Sequence, residues 1–139
     1  MTQLDEYVDI FDLLGDWDQR YQYLIELGEK MQPMAEALKI DDNQVKGCIS
    51  QVWINAEMRD HSVRFSGDSD TAVIKGILAL LISLCDGLSP QQIQQIDMDE
   101  IFRRLSLDDH LSPNRHVGVY AMFDLMKQKV AALNAECAA

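Results

Sequence analysis

The chain has 139 residues, 47% hydrophobic and 25% charged, with 23 acidic against 12 basic side chains and a formal net charge of −11. That length fits one domain, residues 1–139, large enough to bury a core without disulfide staples. The charge disfavours broad nucleic-acid binding, which needs cations to displace counterions from phosphate, and binding to anionic lipid; it suits a protein partner with a basic surface.

From Met1 to Asp12 the chain carries acids where a signal peptide would carry bases, so a cytoplasmic protein is expected. Leu4, Tyr7, Val8, Phe11 and Leu14 follow helical spacing, and Gly15 is expected to end that helix. Asp16 is placed to cap a second helix, with Gln19 as its reciprocal partner. Trp17, Tyr21, Leu24 and Gly28 share one face of it, and Gly28 is expected to be its stop. Met31 to Leu38 reads as a loop with one helical turn near Pro33.

The period then changes to two. Val52, Ile54, Ala56 and Met58 alternate with polar or aromatic neighbours, which predicts a strand with two distinct faces. Val63 and Phe65 alternate again after the polar turn at Arg59 to His61, which predicts a hairpin. Gln44 to Lys46 is expected to add a short third strand, with Gly47 and Cys48 at the turn that joins it to the next. Three strands flanked by helices define an α+β fold with an antiparallel sheet.

Gly67, Asp68 and Ser69 are read as the entry to a helix over Asp70 to Cys85, apolar almost all round and so the most buried. Its apolar run is interrupted by Lys75 and falls short of the roughly 20 residues that a bilayer span requires. Ser89-Pro90 and Ser112-Pro113 are cap-then-proline signatures for further helices. Val119, Met122, Phe123, Met126, Val130 and Leu133 stripe the last one, and Glu136 to Ala139 is expected to fray.

The three cysteines, Cys48, Cys85 and Cys137, are widely spaced and form no CxxC pair, so neither a disulfide framework nor a zinc ribbon is expected. Cys85 falls in the apolar helix and reads as core; Cys137 falls in the tail and reads as exposed. His61, His110 and His116 are scattered and suggest no metal site. Cys48 follows a glycine in a turn, two residues after Lys46. A reactive thiol must be reachable and must spend time as thiolate; the turn supplies reach, Lys46 a local positive charge, and Gly47 conformational latitude. The competing reading is a small buried apolar side chain at a strand end, the commoner fate of a free cysteine and, from position alone, the favoured one.

The surroundings of Cys48 shift that balance. Val45-Lys46-Gly47-Cys48-Ile49-Ser50-Gln51-Val52-Trp53 resembles the signature around the acceptor cysteine of the SufE family. Gly67-Asp68-Ser69-Asp70 followed by Ile74-Lys75-Gly76-Ile77 is similar to the family's second block. Leu111-Ser112-Pro113-Asn114-Arg115, with Gly118 after it, is similar to the third, and Trp17, Arg20-Tyr21 and Leu24 to Gly28 to the opening helix. The likeness runs from about Asp16 to about Val130. Ile49, Ser50 and His116 depart from the family's usual residues.

The resemblance implies a three-stranded antiparallel sheet packed with helices, as in SufE and NifU/IscU-type proteins. It implies a sulfur acceptor and activator of a pyridoxal-phosphate cysteine desulfurase, SufS- or CsdA-like, carrying sulfane sulfur as a persulfide on Cys48 toward a scaffold for iron–sulfur cluster assembly. The pyridoxal phosphate would belong to the partner, with no cofactor or metal on this chain, which would not be a stand-alone catalyst. Lys46, Gly47, Gln51, Ser69, Asp70 and Arg115 are the expected partner-facing residues. Two alternatives share the same residues: an iron–sulfur scaffold, which needs about three thiolates plus a further donor, and a thiol redox sensor, which normally needs a resolving cysteine nearby.

Overall fold

A computed structural model of the chain describes residues 2–138, with side chains as far as Asn134. Six helices and one hairpin follow in the order α1 (Gln3–Leu14), α2 (Trp17–Lys30), β1 (Val52–Arg59), β2 (Ser62–Ser69), α3 (Ala72–Cys85), α4 (Pro90–Gln94), α5 (Met98–Arg104) and α6 (Pro113–Ala138). α6 stays helical to Ala138, where Glu136 to Ala139 was expected to fray; Ala139 and the exposure expected of Cys137 lie outside what is described. No helix among the described residues is long and apolar enough to cross a membrane.

The helix ends follow the local chemistry. Thr2 and Asp5 form a reciprocal capping box on α1, and Gly15, at φ 81°, closes it. Asp16 caps α2 by accepting the Gln19 N–H, without the reciprocal contact. Ser89 and Gln92 box α4 behind Pro90. Ser89→Ala should therefore cost about 1 kcal/mol, read as a lower urea midpoint at unchanged slope.

Gly28 does not stop α2, which runs on to Lys30. The glycine is needed for packing instead. A Cβ on Gly28 would stand 2.9 Å from the backbone nitrogen of Gly76, and one on Gly76 would stand 1.9 Å from the Leu24 carbonyl oxygen. The two glycines let α2 and α3 cross almost backbone to backbone. Of α3, residues Ile74, Ile77, Leu78, Leu80, Leu81 and Cys85 are buried, as its apolar pattern predicts.

β1 and β2 pair antiparallel from Val52↔Ser69 to Arg59↔Ser62 around a turn at Asp60-His61. Val52, Ile54 and Val63 are fully buried, while Ala56 and Met58 pack against the same core. The sheet has two strands, not three. Gln44 makes a single bridge to Trp53, and the Val45 N–H donates to the Val52 carbonyl at 2.8 Å. A 3-10 turn over Asp41–Asn43 ends just before this pair, and Gly47 turns away just after it at φ 85°. Too few extended residues remain between them for a strand.

Gly67 to Ser69 belong to β2, not to the entry of α3. Thr71 occupies the N-cap position of α3 without a side-chain cap. Asp68 is spent on ion pairs with Lys39 (2.8 Å) and Lys75 (3.2 Å). Burial works against its charge, but the two ammoniums hold its carboxyl below the usual range.

α6 lies across β1 and touches α3 and α4. Val119, Met122, Phe123, Met126 and Val130 are buried along it. Its Lys129 ammonium reaches the buried Asn43, whose amide also donates to the Leu38 carbonyl at 2.7 Å. That anchor fixes the segment leading into the Cys48 loop.

Candidate functional site

Residues 46–51 form a loop closed at its neck by the Val45–Val52 hydrogen bond. Cys48 sits near the middle of it. The far side is tied to the start of α3: the Gln51 N–H donates to the Asp70 carboxylate at 3.1 Å, and the Asp70 N–H returns a bond to the Gln51 carbonyl at 3.2 Å. The Ser50 and Thr71 hydroxyls meet at 2.7 Å. Among the described residues, the near side is tied only through the Lys46 ammonium, exposed and 2.7 Å from the Asp41 carboxylate, and the nearest atom to a Cβ built on Gly47 is the Ala121 Cβ at 3.9 Å.

The Cys48 side chain turns inward and rests on α6 at Gly118. It is half-buried, while its neighbour Ile49 is 80% exposed and Val117 on α6 is 60% exposed. A cleft of about 260 Å³ opens beside the thiol, with Cys48, Ser50, Thr71, Ser112, Asn114 and Arg115 among its walls. Burial pushes the Cys48 thiol up from its ordinary value; the Ser50 N–H opposes this and the Asp70 charge adds to it. At neutral pH the resting group is therefore the thiol, a poor nucleophile.

The expected partner-facing residues divide. Arg115 lines the cleft, exposed and without an ion pair among the described residues. Gln51 and Asp70 hold the loop. Ser69 accepts from the Thr71 N–H at 3.2 Å and supports the same corner. Gly47 supplies the turn. Lys46 is exposed; its ammonium pairs with Asp41 at 2.7 Å and is not among the groups that shift Cys48, where a local positive charge was expected.

No histidine serves as a base here. His110 stacks on Trp17, its ring centroid 4.0 Å away, and His116 stacks on Tyr120 at 5.1 Å; neither lines the cleft. Among the described residues, no three His, Cys, Asp or Glu side chains gather as a metal site would require. Cys85 lies buried in α3, where burial pushes its thiol up to about 12.

Sequence reasoning gave no site role to Gly118, Ser50 or Thr71, although Gly118 and Ser50 stand in the blocks that resemble the family. Gly118 stands 70 residues from Cys48, and no local pattern links them. Thr71 closes a polar run, and nothing local pairs it with Ser50.

Two comparisons bear on this arrangement. The fold is similar to a solution structure described as a hypothetical protein from Thermus thermophilus, with a TM-score of 0.79, 19% identity, and coverage of 97% of this chain and 99% of that one. Residues 5–130 match the family model described as "SufE: Fe-S metabolism associated domain". A match over that much of the sequence settles the assignment: the chain belongs to the SufE family, which is associated with iron–sulfur metabolism.

Proposed function

We propose that this protein accepts sulfane sulfur from a pyridoxal-phosphate cysteine desulfurase, SufS- or CsdA-like, onto Cys48, stimulates that enzyme, and carries the sulfur as a persulfide to a cluster-assembly scaffold. The observation that supports this best is the pairing of family with geometry: one half-buried thiol on a neck-closed loop, beside an open cleft, in a SufE chain. The protein works in the reducing cytoplasm as a carrier and is not a stand-alone catalyst. Pyridoxal phosphate acts in the partner.

The transfer balances without an external oxidant. The Cys48 thiolate attacks the terminal sulfur of the donor's persulfide. An S–S bond forms at Cys48, the donor's S–S bond breaks, and the donor cysteine leaves as thiolate. The Cys48 proton passes to a base or solvent at the docked interface. Around the thiol, Lys46, Gly47, Gln51, Ser69, Asp70 and Arg115 present the partner-facing surface, with Ile49 as an apolar contact. A scaffold role fits less well, because Cys85 is buried in the core and cannot share a cluster with Cys48.

The test is mass spectrometry after incubation with a SufS- or CsdA-like desulfurase and cysteine, without reductant. The intact protein is expected to become one sulfur atom heavier, with the added sulfur on the peptide containing Cys48. Labelling of Cys137 alone, or no mass gain, would sink the reading.

A further inference from the structure

We infer that Gly118 is a positioning residue: the side chain it lacks leaves a notch on α6 in which the Cys48 sulfur rests, and this notch sets how far the thiol is shielded between transfers. The inference deepens the reading of Cys48 as sulfur acceptor, on which its functional meaning rests.

A Cβ on Gly118 would stand 2.7 Å from Cys48 Sγ, 3.5 Å from its Cβ and 3.7 Å from its Cα. The first distance is inside any real carbon–sulfur contact, while the other two are ordinary packing. A methyl group therefore conflicts with one atom, the sulfur. Sγ lies one rotatable bond from the backbone, so the thiol must swing out of the notch, or the loop or α6 must yield. α6 is held from within, since Val119 and Met122 beside Gly118 are fully buried and Phe123 nearly so. The loop is held at its neck and at Gln51–Asp70, but between them a Cβ on Gly47 would meet only the Ala121 Cβ, at 3.9 Å. The displacement should fall on the Cys48 side chain and residues 46–49, and carry Sγ out of the notch toward solvent.

Among the described residues, the Asp70 carboxylate, just before α3, acts on this thiol, and Arg115 of α6 lines the same cleft. Neither is altered by a substitution at Gly118. A change in the thiol's behaviour in Gly118→Ala then reports its burial.

The experiment needs no desulfurase. Wild type and Gly118→Ala are alkylated with iodoacetamide from pH 6 to 10, and modification of the Cys48 peptide is followed by mass spectrometry. Gly118→Ala is expected to react roughly tenfold faster at neutral pH, with the pH of half-maximal rate moved down, since a less buried thiol spends more time as thiolate. An unchanged rate and profile in the folded variant would overturn the inference. Thermal melts of the double-variant cycle with Cys48→Ala guard against a folding defect. Removing the sulfur should relieve the clash, so that Gly118→Ala lowers Tm in the Cys48 background and does not lower it in the Cys48→Ala background. An equal loss in both would show that the notch does not exist for the sulfur. If sulfur loading itself fails, these results still stand, which separates the two readings.

Discussion

Gly76→Ala is expected to cost about 3 kcal/mol or more, the upper end of overpacking effects, and to lower Tm by roughly 10–20 °C in a domain of this size. Helix propensity alone predicts the opposite sign, because alanine in a helix interior is favoured over glycine by about 1 kcal/mol. Geometry decides between them. The new Cβ would lie 1.9 Å from the Leu24 carbonyl oxygen and 2.4 Å from its carbon. Those are backbone atoms, and no rotamer change moves them. The helices α2 and α3 would have to separate, opening contacts around Leu24, Ile77 and Leu80, all essentially inaccessible to solvent. Gly28→Ala should be milder, since its closest contact is 2.9 Å. Equilibrium urea unfolding of both variants checks the ranking. A Gly76→Ala protein as stable as wild type would mean that the helices do not cross this closely.

The same glycines show where sequence reasoning reaches and where it stops. Signals confined to a few residues carried through: Asp16 and Ser89 cap their helices, the alternation from Val52 to Met58 forms a two-faced strand, and the stripe from Val119 to Val130 is buried. Gly28 failed as a stop because its contact is with Gly76, 48 positions on. Gln44 to Lys46 failed as a strand because one bridge and one hydrogen bond to β1 is all the neighbouring turns permit. α5 escaped notice because its cap, Asp97 accepting from Asp99 and Glu100, lies in a run already dense in acids. At the site, the turn that carries Cys48 was legible from Gly47, and the family from the blocks around it. The charge expected of Lys46 beside the thiol was not, because sequence proximity says nothing of direction, and Asp41 pairs with it at 2.7 Å.

Cys48→Ser is expected to reduce sulfur loading and desulfurase stimulation to the level seen with no acceptor, while leaving the fold and the docking affinity almost unchanged. The hydroxyl keeps the size of the side chain and its contact with α6, so stability should move by no more than about 0.5 kcal/mol. It removes the nucleophile, because serine at neutral pH offers neither a thiolate nor an atom that can hold a persulfide. The structure makes this substitution more telling than at an exposed thiol. Burial and the Asp70 charge keep the free thiol protonated at pH 7, with only the Ser50 N–H opposing them. Neither Lys46, paired with Asp41, nor a histidine lies ready to remove the proton. On the proposed function, efficient loading at pH 7 is expected to need the docked partner to complete the site. Cys48→Ser should occupy the same docking surface without turnover and compete with wild type, giving inhibition at a concentration near the wild-type half-saturation point. Steady-state assays with both proteins mixed measure this. Full stimulation by Cys48→Ser would mean that docking alone activates the desulfurase and that Cys48 is not the acceptor. Loss of both stimulation and competition would mean that the sulfur atom is part of the docking contact and not only the acceptor.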